Sequence, residues 1–200
     1  MKVAVTEGYF FLADVFIAKE EGMKKTKEET EGGWRGWRKL VLMKKVSETS
    51  MHKSFYFAPE DGSKLMTFIP GQYISIRIPG IFDTWTSGSL YSMVRNYSLS
   101  SSPNSSMYRI TVKKENDGQV SSYLHDKVTE GDVLEIGVPC GEFVAKNANC
   151  PVVLIGAGTG ITPLLSMLRD AAERSLQVSL SVQLLVLMPY FSGNHDIQGT

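Results

Sequence analysis

Apolar residues near the start of the chain recur at helical spacing. Tyr9, Leu12, Ala13, Phe16 and Ile17 form one stripe, widened by Phe10, Phe11 and Val15. This predicts a helix over residues 7–21 that is covered on most sides. From Ala18 to Glu31, Lys and Glu alternate with almost no apolar residue, the pattern of a solvated helix tail or linker. Gly32-Gly33-Trp34-Arg35-Gly36 breaks the helical pattern, and the period then falls to two. Leu40–Met43 and Phe55–Phe57 are short apolar runs between polar turns, and Tyr73–Ile78, Tyr108–Lys113 and Val133–Val138 alternate apolar with polar. Short strands at near-regular spacing, separated by turn dipeptides such as Asp61-Gly62 and Pro70-Gly71, predict a small antiparallel barrel.

Two segments depart from that alternation. Val120–Val128 reads as a helix introduced by Asp117-Gly118-Gln119, where Ser121 either caps the helix or bonds an anion. After Pro151, Val152–Ile155 is a continuous apolar run of the kind expected for a strand buried on both faces. Gly156-Ala157-Gly158-Thr159-Gly160-Ile161-Thr162-Pro163 follows, then Leu164, Leu165, Leu168, Ala171 and Ala172 at helical spacing, then a second strand near Val178–Met188. Strand, glycine loop, helix and strand make a βαβ opening, with Thr162 expected as helix cap and Pro163 as the first helical residue.

Composition narrows the functions. Apolar residues make up 42% of the 200 and charged residues 21%, an ordinary globular balance. Lys plus Arg and Asp plus Glu both number 21, so no net field draws the chain to nucleic acid or to an anionic membrane. No apolar run reaches the length of a membrane span, and no signal-peptide core opens the sequence. Cys140 and Cys150 read as reduced thiols of a cytoplasmic protein, with a disulfide as the alternative, while His52, His125 and His195 are scattered, so no side-chain metal site is expected.

The sharpest candidate chemistry lies at Arg95-Asn96-Tyr97-Ser98. Guanidinium, aromatic plate and hydroxyl on one short strand suit a flat, phosphate-bearing ligand, although an ordinary surface strand also accounts for them. The glycine loop, set between a buried strand and a helix start, suits a dinucleotide pyrophosphate. It is not the Rossmann fingerprint, since the third glycine position counted from Gly156 falls on Ile161. No charged residue between Ser175 and Met188 separates NADH from NADPH.

Arg95–Ser98, then Gly118–Ser121, then Gly158–Pro163 is an order that resembles the flavin reductase superfamily typified by ferredoxin–NADP reductase. With Leu12–Ile17, Gly32-Gly33-Trp34, Ser54-Phe55-Tyr56 and Pro70-Gly71-Gln72-Tyr73, the chain more closely resembles the flavohemoglobins. The resemblance implies an α+β multidomain fold. An antiparallel Greek-key β-barrel FAD-binding domain is followed by the start of an α/β nucleotide-binding domain and preceded by one helix left from a globin domain. The expected boundaries are 1–31, 32–150 and 151–200. It also implies that Tyr73 lies against the flavin or its adenosine side and that Arg95, beside Asn96, binds the FAD pyrophosphate. Tyr97 would flank the isoalloxazine and Ser98 would sit near its N5, these two being the catalytic candidates. Gln119, Val120 and Ser121 would meet the FAD phosphates, and Gly158, Thr159, Gly160, Ile161, Thr162 and Pro163 would take NAD(P)H.

In the family, electrons pass on to a haem, where nitric oxide is oxidised to nitrate. Here the helix bearing the haem histidine is expected upstream of this chain, so haem belongs only to the intact parent protein. The expected partners are therefore small-molecule cofactors, with no nucleic acid and no membrane. A reductase for another acceptor, or a flavin-binding remnant without hydride donation, are the alternatives. The link Ile81–Val94 runs longer than the family's usual connection and holds Trp85 and Tyr91 at the expected flavin edge.

Overall fold

The computed structural model describes residues 30–82, 92–144, 153–174 and 181–184. The helix expected over 7–21, Cys150, and most of the link holding Trp85 and Tyr91 lie outside the described residues. In chain order the elements are β1 (Trp37–Ser47), β2 (His52–Ala58), β3 (Tyr73–Phe82), β4 (Ser92–Ser98), β5 (Tyr108–Lys113), α1 (Gln119–Asp126), β6 (Val133–Gly137), β7 (Val153–Gly156), α2 (Ile161–Glu173) and β8 (Ser181–Leu184).

Strands β1 to β6 form one antiparallel sheet in the order β4-β3-β6-β1-β2-β5. The insertion of β6 between β1 and β3 is the Greek-key crossover. The two edge strands meet at an antiparallel bridge between Leu99 and Ile110, where the Ser100 N–H donates to the Arg109 carbonyl at 2.8 Å. That contact closes the sheet into a barrel at one end.

The period-two pattern decides what fills the barrel. Leu40, Leu42, Phe55, Phe57, Ile74, Ile76, Ile78, Ile110 and Ile136 are sealed from solvent in one core. Val120 and Leu124, one turn apart on α1, complete it. Strand β1 is longer than its apolar run because a bulge at Met43 shifts its register between Leu42 and Lys44. After the bulge Lys45, not Lys44, stands opposite the core residue Phe55, and its ammonium donates to the carbonyls of His125 (2.8 Å) and Val128 (2.6 Å). Lys53 also donates to the His125 carbonyl, at 3.2 Å. Two cations thus satisfy the carboxyl end of α1, where the helix leaves carbonyls without partners.

Gly71 is a position that only glycine can hold. Its φ is +101°, and a Cβ there would stand 1.8 Å from the Phe143 carbonyl oxygen.

Beside the barrel, β7 and β8 pair in parallel as a separate two-stranded sheet, with α2 between them in sequence. Several expectations change here. Leu154 is buried, but Ile155 is 69% exposed, so β7 is covered on one face, not both. Helix α2 begins at Ile161, before Thr162, because a 3-10 turn at Gly158–Gly160 runs directly into it. Thr162 is therefore not the cap, and its hydroxyl donates to the Thr159 carbonyl at 2.9 Å. Pro163 still falls in the first turn, where its missing N–H removes no helical bond. Ser121 is not a cap either. Gly118 holds the N-cap position of α1, and the Ser121 hydroxyl donates to the Gly118 carbonyl (3.1 Å) while accepting from the Glu115 N–H (3.2 Å).

Candidate functional site

Beyond the Leu99–Ile110 bridge the two barrel edges stay apart, and a cleft of about 640 Å³ occupies the split. Strand β4 brings Arg95, Asn96, Tyr97 and Ser98 to it, α1 brings Gln119, Val120 and Ser121, and the glycine loop brings Thr159, Gly160, Thr162 and Pro163. Three motifs spread along the chain from Arg95 to Pro163 therefore line one cleft. Tyr73, Gly158 and Ile161 do not line the cleft. Tyr73 stands beside Ser98 in the β3–β4 register but exchanges two 2.8 Å backbone bonds with Cys140, and its ring lies over Gly141. Gly158 shapes the loop instead, with a φ of +53°.

The charge at the site follows from what each group already touches. Arg95 is exposed; its guanidinium donates to the Val94 carbonyl at 2.8 Å, and among the described residues it makes no ion pair. Lys113 at the β5 edge is by contrast held by Glu115 at 2.9 Å. Arg95 is thus the cleft cation with charge to give to an anion. Tyr97 packs its ring on the barrel core, and burial pushes its hydroxyl up to about 12, with Arg95 pulling the other way. It stays a neutral hydrogen-bond donor and an aromatic plate at any ordinary pH. Asn96, on the alternate face, accepts from the Ser75 hydroxyl at 2.8 Å.

The first intrahelical bond of α1 runs from Ser122 N–H to the Gly118 carbonyl at 2.9 Å. The amides of Gln119, Val120 and Ser121 therefore have no partner inside the helix and stand at the cleft wall. With no acidic residue in that first turn, the helix end favours an anion. The glycine loop is open on the same side, since a Cβ on Gly158 or Gly160 would meet nothing within 4 Å. Gly156 serves packing instead: a Cβ there would reach 2.7 Å from Leu164 Cδ1.

Met93, Thr111, Val112, Lys113 and Glu115 also line the cleft and were not among the sequence candidates. The strand of Thr111, Val112 and Lys113, β5, was legible, but its place at the barrel's open edge depends on a long-range pairing that local pattern does not carry. Among the described residues there is no cluster of His, Cys, Asp or Glu that could hold a metal ion; Cys140 is buried, its thiol donating to the Val138 carbonyl at 3.2 Å.

Residues 39–144 match the family model of the oxidoreductase FAD-binding domain. A flavohemoprotein of Bacillus thuringiensis subsp. konkukian is 45% identical over 174 residues, covering 84% of this chain and 42% of that protein. The chain therefore spans less than half the length of this curated relative. Among solved structures, the flavohem-like FAD/NAD-binding domain of nitric oxide dioxygenase from Vibrio cholerae O1 biovar El Tor superposes with a TM-score of 0.67. It is 35% identical, with 78% of this chain and 65% of that one covered. Phthalate dioxygenase reductase superposes with a TM-score of 0.66 at 27% identity, with 76% and 44% covered.

Proposed function

The chain belongs to the oxidoreductase FAD-binding domain family, and from that premise we propose that it is the flavin-binding reductase portion of a flavohemoglobin-type protein, taking electrons from NAD(P)H. The observation that carries this reading is the meeting of Arg95, Tyr97, Ser98 and the amino end of α1 in one cleft. The donor set suits FAD. A guanidinium without a carboxylate partner and three helix-end amides suit a pyrophosphate, and a neutral aromatic plate suits a flat ring system.

FAD, when bound, supplies the hydride and single-electron chemistry that no side chain here can perform. The chain's own residues bind and orient. In this reading Arg95 and the Gln119–Ser121 amides hold the pyrophosphate, with the Ser121 hydroxyl fixing the preceding loop. Tyr97 flanks the ring and Ser98 presents a hydroxyl to its reacting edge. Thr159, Gly160, Thr162 and Pro163 receive the nicotinamide cofactor on the opposite wall. Residues 32–150 form the flavin half and residues from 151 onward begin the nucleotide half.

Haem does not fit the described residues: His52 bonds Thr49, and His125 is buried with Nε2 on the Val112 carbonyl. Oxidation of nitric oxide at a haem is therefore assigned to the parent protein, and no step is routed through it here. The similarity to phthalate dioxygenase reductase favours a second reading, a reductase serving an iron–sulfur acceptor.

Reconstitution with FAD followed by anaerobic addition of NADH or NADPH tests the proposal. A bound flavin that bleaches supports a reductase. A bound flavin that stays oxidised reduces the claim to binding, and failure to bind flavin removes it.

A further inference from the structure

Helix α2 carries two faces with different tasks. Leu164 packs down on Gly156 of β7. Thr162, Ser166, Arg169 and Glu173, spaced at four, three and four, form a polar stripe whose first two members are buried. The Arg169 guanidinium donates to the Ser100 carbonyl. The Ser102 hydroxyl donates to Glu173 Oε2 at 2.5 Å, and the Asn104 amide donates to the same oxygen at 3.2 Å. These bonds join α2 to the turn that leaves β4 directly after Ser98. At its other end α2 starts straight out of the glycine turn whose Thr159 and Gly160 line the cleft. One short helix thus ties one wall of the cleft to the chain that builds the other.

The stripe is not explained by stability alone. Burial and the like charge of Arg109 both disfavour the charged form of Arg169, and ion pairs and cations at such junctions gain little over apolar packing.

We propose that Arg169 and Glu173 are positioning residues. Through Ser100, Ser102 and Asn104 they hold the glycine loop opposite Tyr97 and Ser98, and so set how a nicotinamide ring meets a flavin in the cleft. This rests on the flavin-reductase reading, so the test includes a readout that needs no flavin. Hydrogen–deuterium exchange on the full chain without cofactor compares wild type with Arg169→Ala, Asn104→Ala and Arg169→Lys. Amides of residues 158–164 should exchange roughly tenfold faster in Arg169→Ala and less so in Asn104→Ala, with barrel amides unchanged and Arg169→Lys close to wild type. Affinity for FAD should stay within about twofold in every variant, while flavin reduction at saturating NADH should slow roughly tenfold in Arg169→Ala and recover in Arg169→Lys.

Unchanged exchange at residues 158–164 in Arg169→Ala would overturn the proposal. Equal acceleration throughout the barrel, or α2 amides that exchange at unfolded rates in the wild type, would overturn it too. If the wild type binds no FAD, the reductase reading fails, and the exchange comparison still decides whether the latch exists.

Discussion

Ile76 in the barrel and Ile155 in β7 are the same residue type in the same kind of element, yet one is sealed from solvent and the other is 69% exposed. The barrel surrounds its apolar face with six strands and α1, whereas the β7–β8 pair has α2 against it among the described residues. The barrel wall of the cleft therefore stands on a core of its own. The glycine-loop wall is held by Leu154 and Leu164 inside and by the Arg169 and Glu173 bonds to the barrel outside. In the proposed reading, flavin binding and hydride donation therefore rest on regions of unequal robustness.

The largest effect should come from emptying the self-contained core. Ile76→Ala should cost about 4 kcal/mol in urea unfolding, while Ile155→Ala should stay within about 0.5 kcal/mol. Similar losses at the two positions would mean that the two strands are equally enclosed.

The two packing glycines differ in the same way. At Gly71 a Cβ would strike the Phe143 backbone oxygen at 1.8 Å with φ at +101°, so neither partner can yield cheaply. Gly71→Ala should cost about 3 kcal/mol in the same assay. At Gly156 the clash is with the end of the Leu164 side chain, which can turn away. Gly156→Ala should cost about 1 kcal/mol, and its effect on amide exchange should stay within β7 and α2.

The smallest effect is a pH slope inside the barrel. Burial holds the His125 imidazole below its ordinary 6.5, opposed by the bond to Val112 and reinforced by Lys53, Lys45 and Lys114. The neutral form is thus preferred in the folded protein. As pH falls through 6.5 the unfolded chain takes up its proton first, so stability declines and then levels off below the folded value. Urea midpoints at pH 7.5 and 5.5 should show that decline, and His125→Gln, which keeps a donor for the Val112 carbonyl, should flatten it. A wild-type midpoint that rises on acidification would contradict the assignment.

Strands with strict alternation, such as Tyr73–Ile78 and Tyr108–Lys113, were legible because period two is a local property. Strand β1 was legible only as Leu40–Met43, since Lys44 and Lys45 hide a bulge that becomes meaningful against Phe55 and the end of α1. The cleft residues on β4, α1 and the glycine loop stood out because Arg, Gly and Ser carry their chemistry in their type. The β5 contribution and the α2 latch could not, because Thr111, Lys113, Arg169 and Glu173 look like any solvated polar residues until a distant partner is in place. Thr162 and Ser121 misled for a related reason: both are good capping residues, but glycines take the cap positions and their hydroxyls turn to the carbonyls of Thr159 and Gly118.

Arg95 is the cation on which flavin binding depends most directly in the proposed reading, and titration of FAD into the purified chain, followed by flavin fluorescence, tests it alone. One-to-one saturation by the wild type, weakened by about 2 kcal/mol in Arg95→Ala through loss of a charged phosphate contact, is the predicted result. Equal affinity in the two proteins, or no saturation by either, would contradict it.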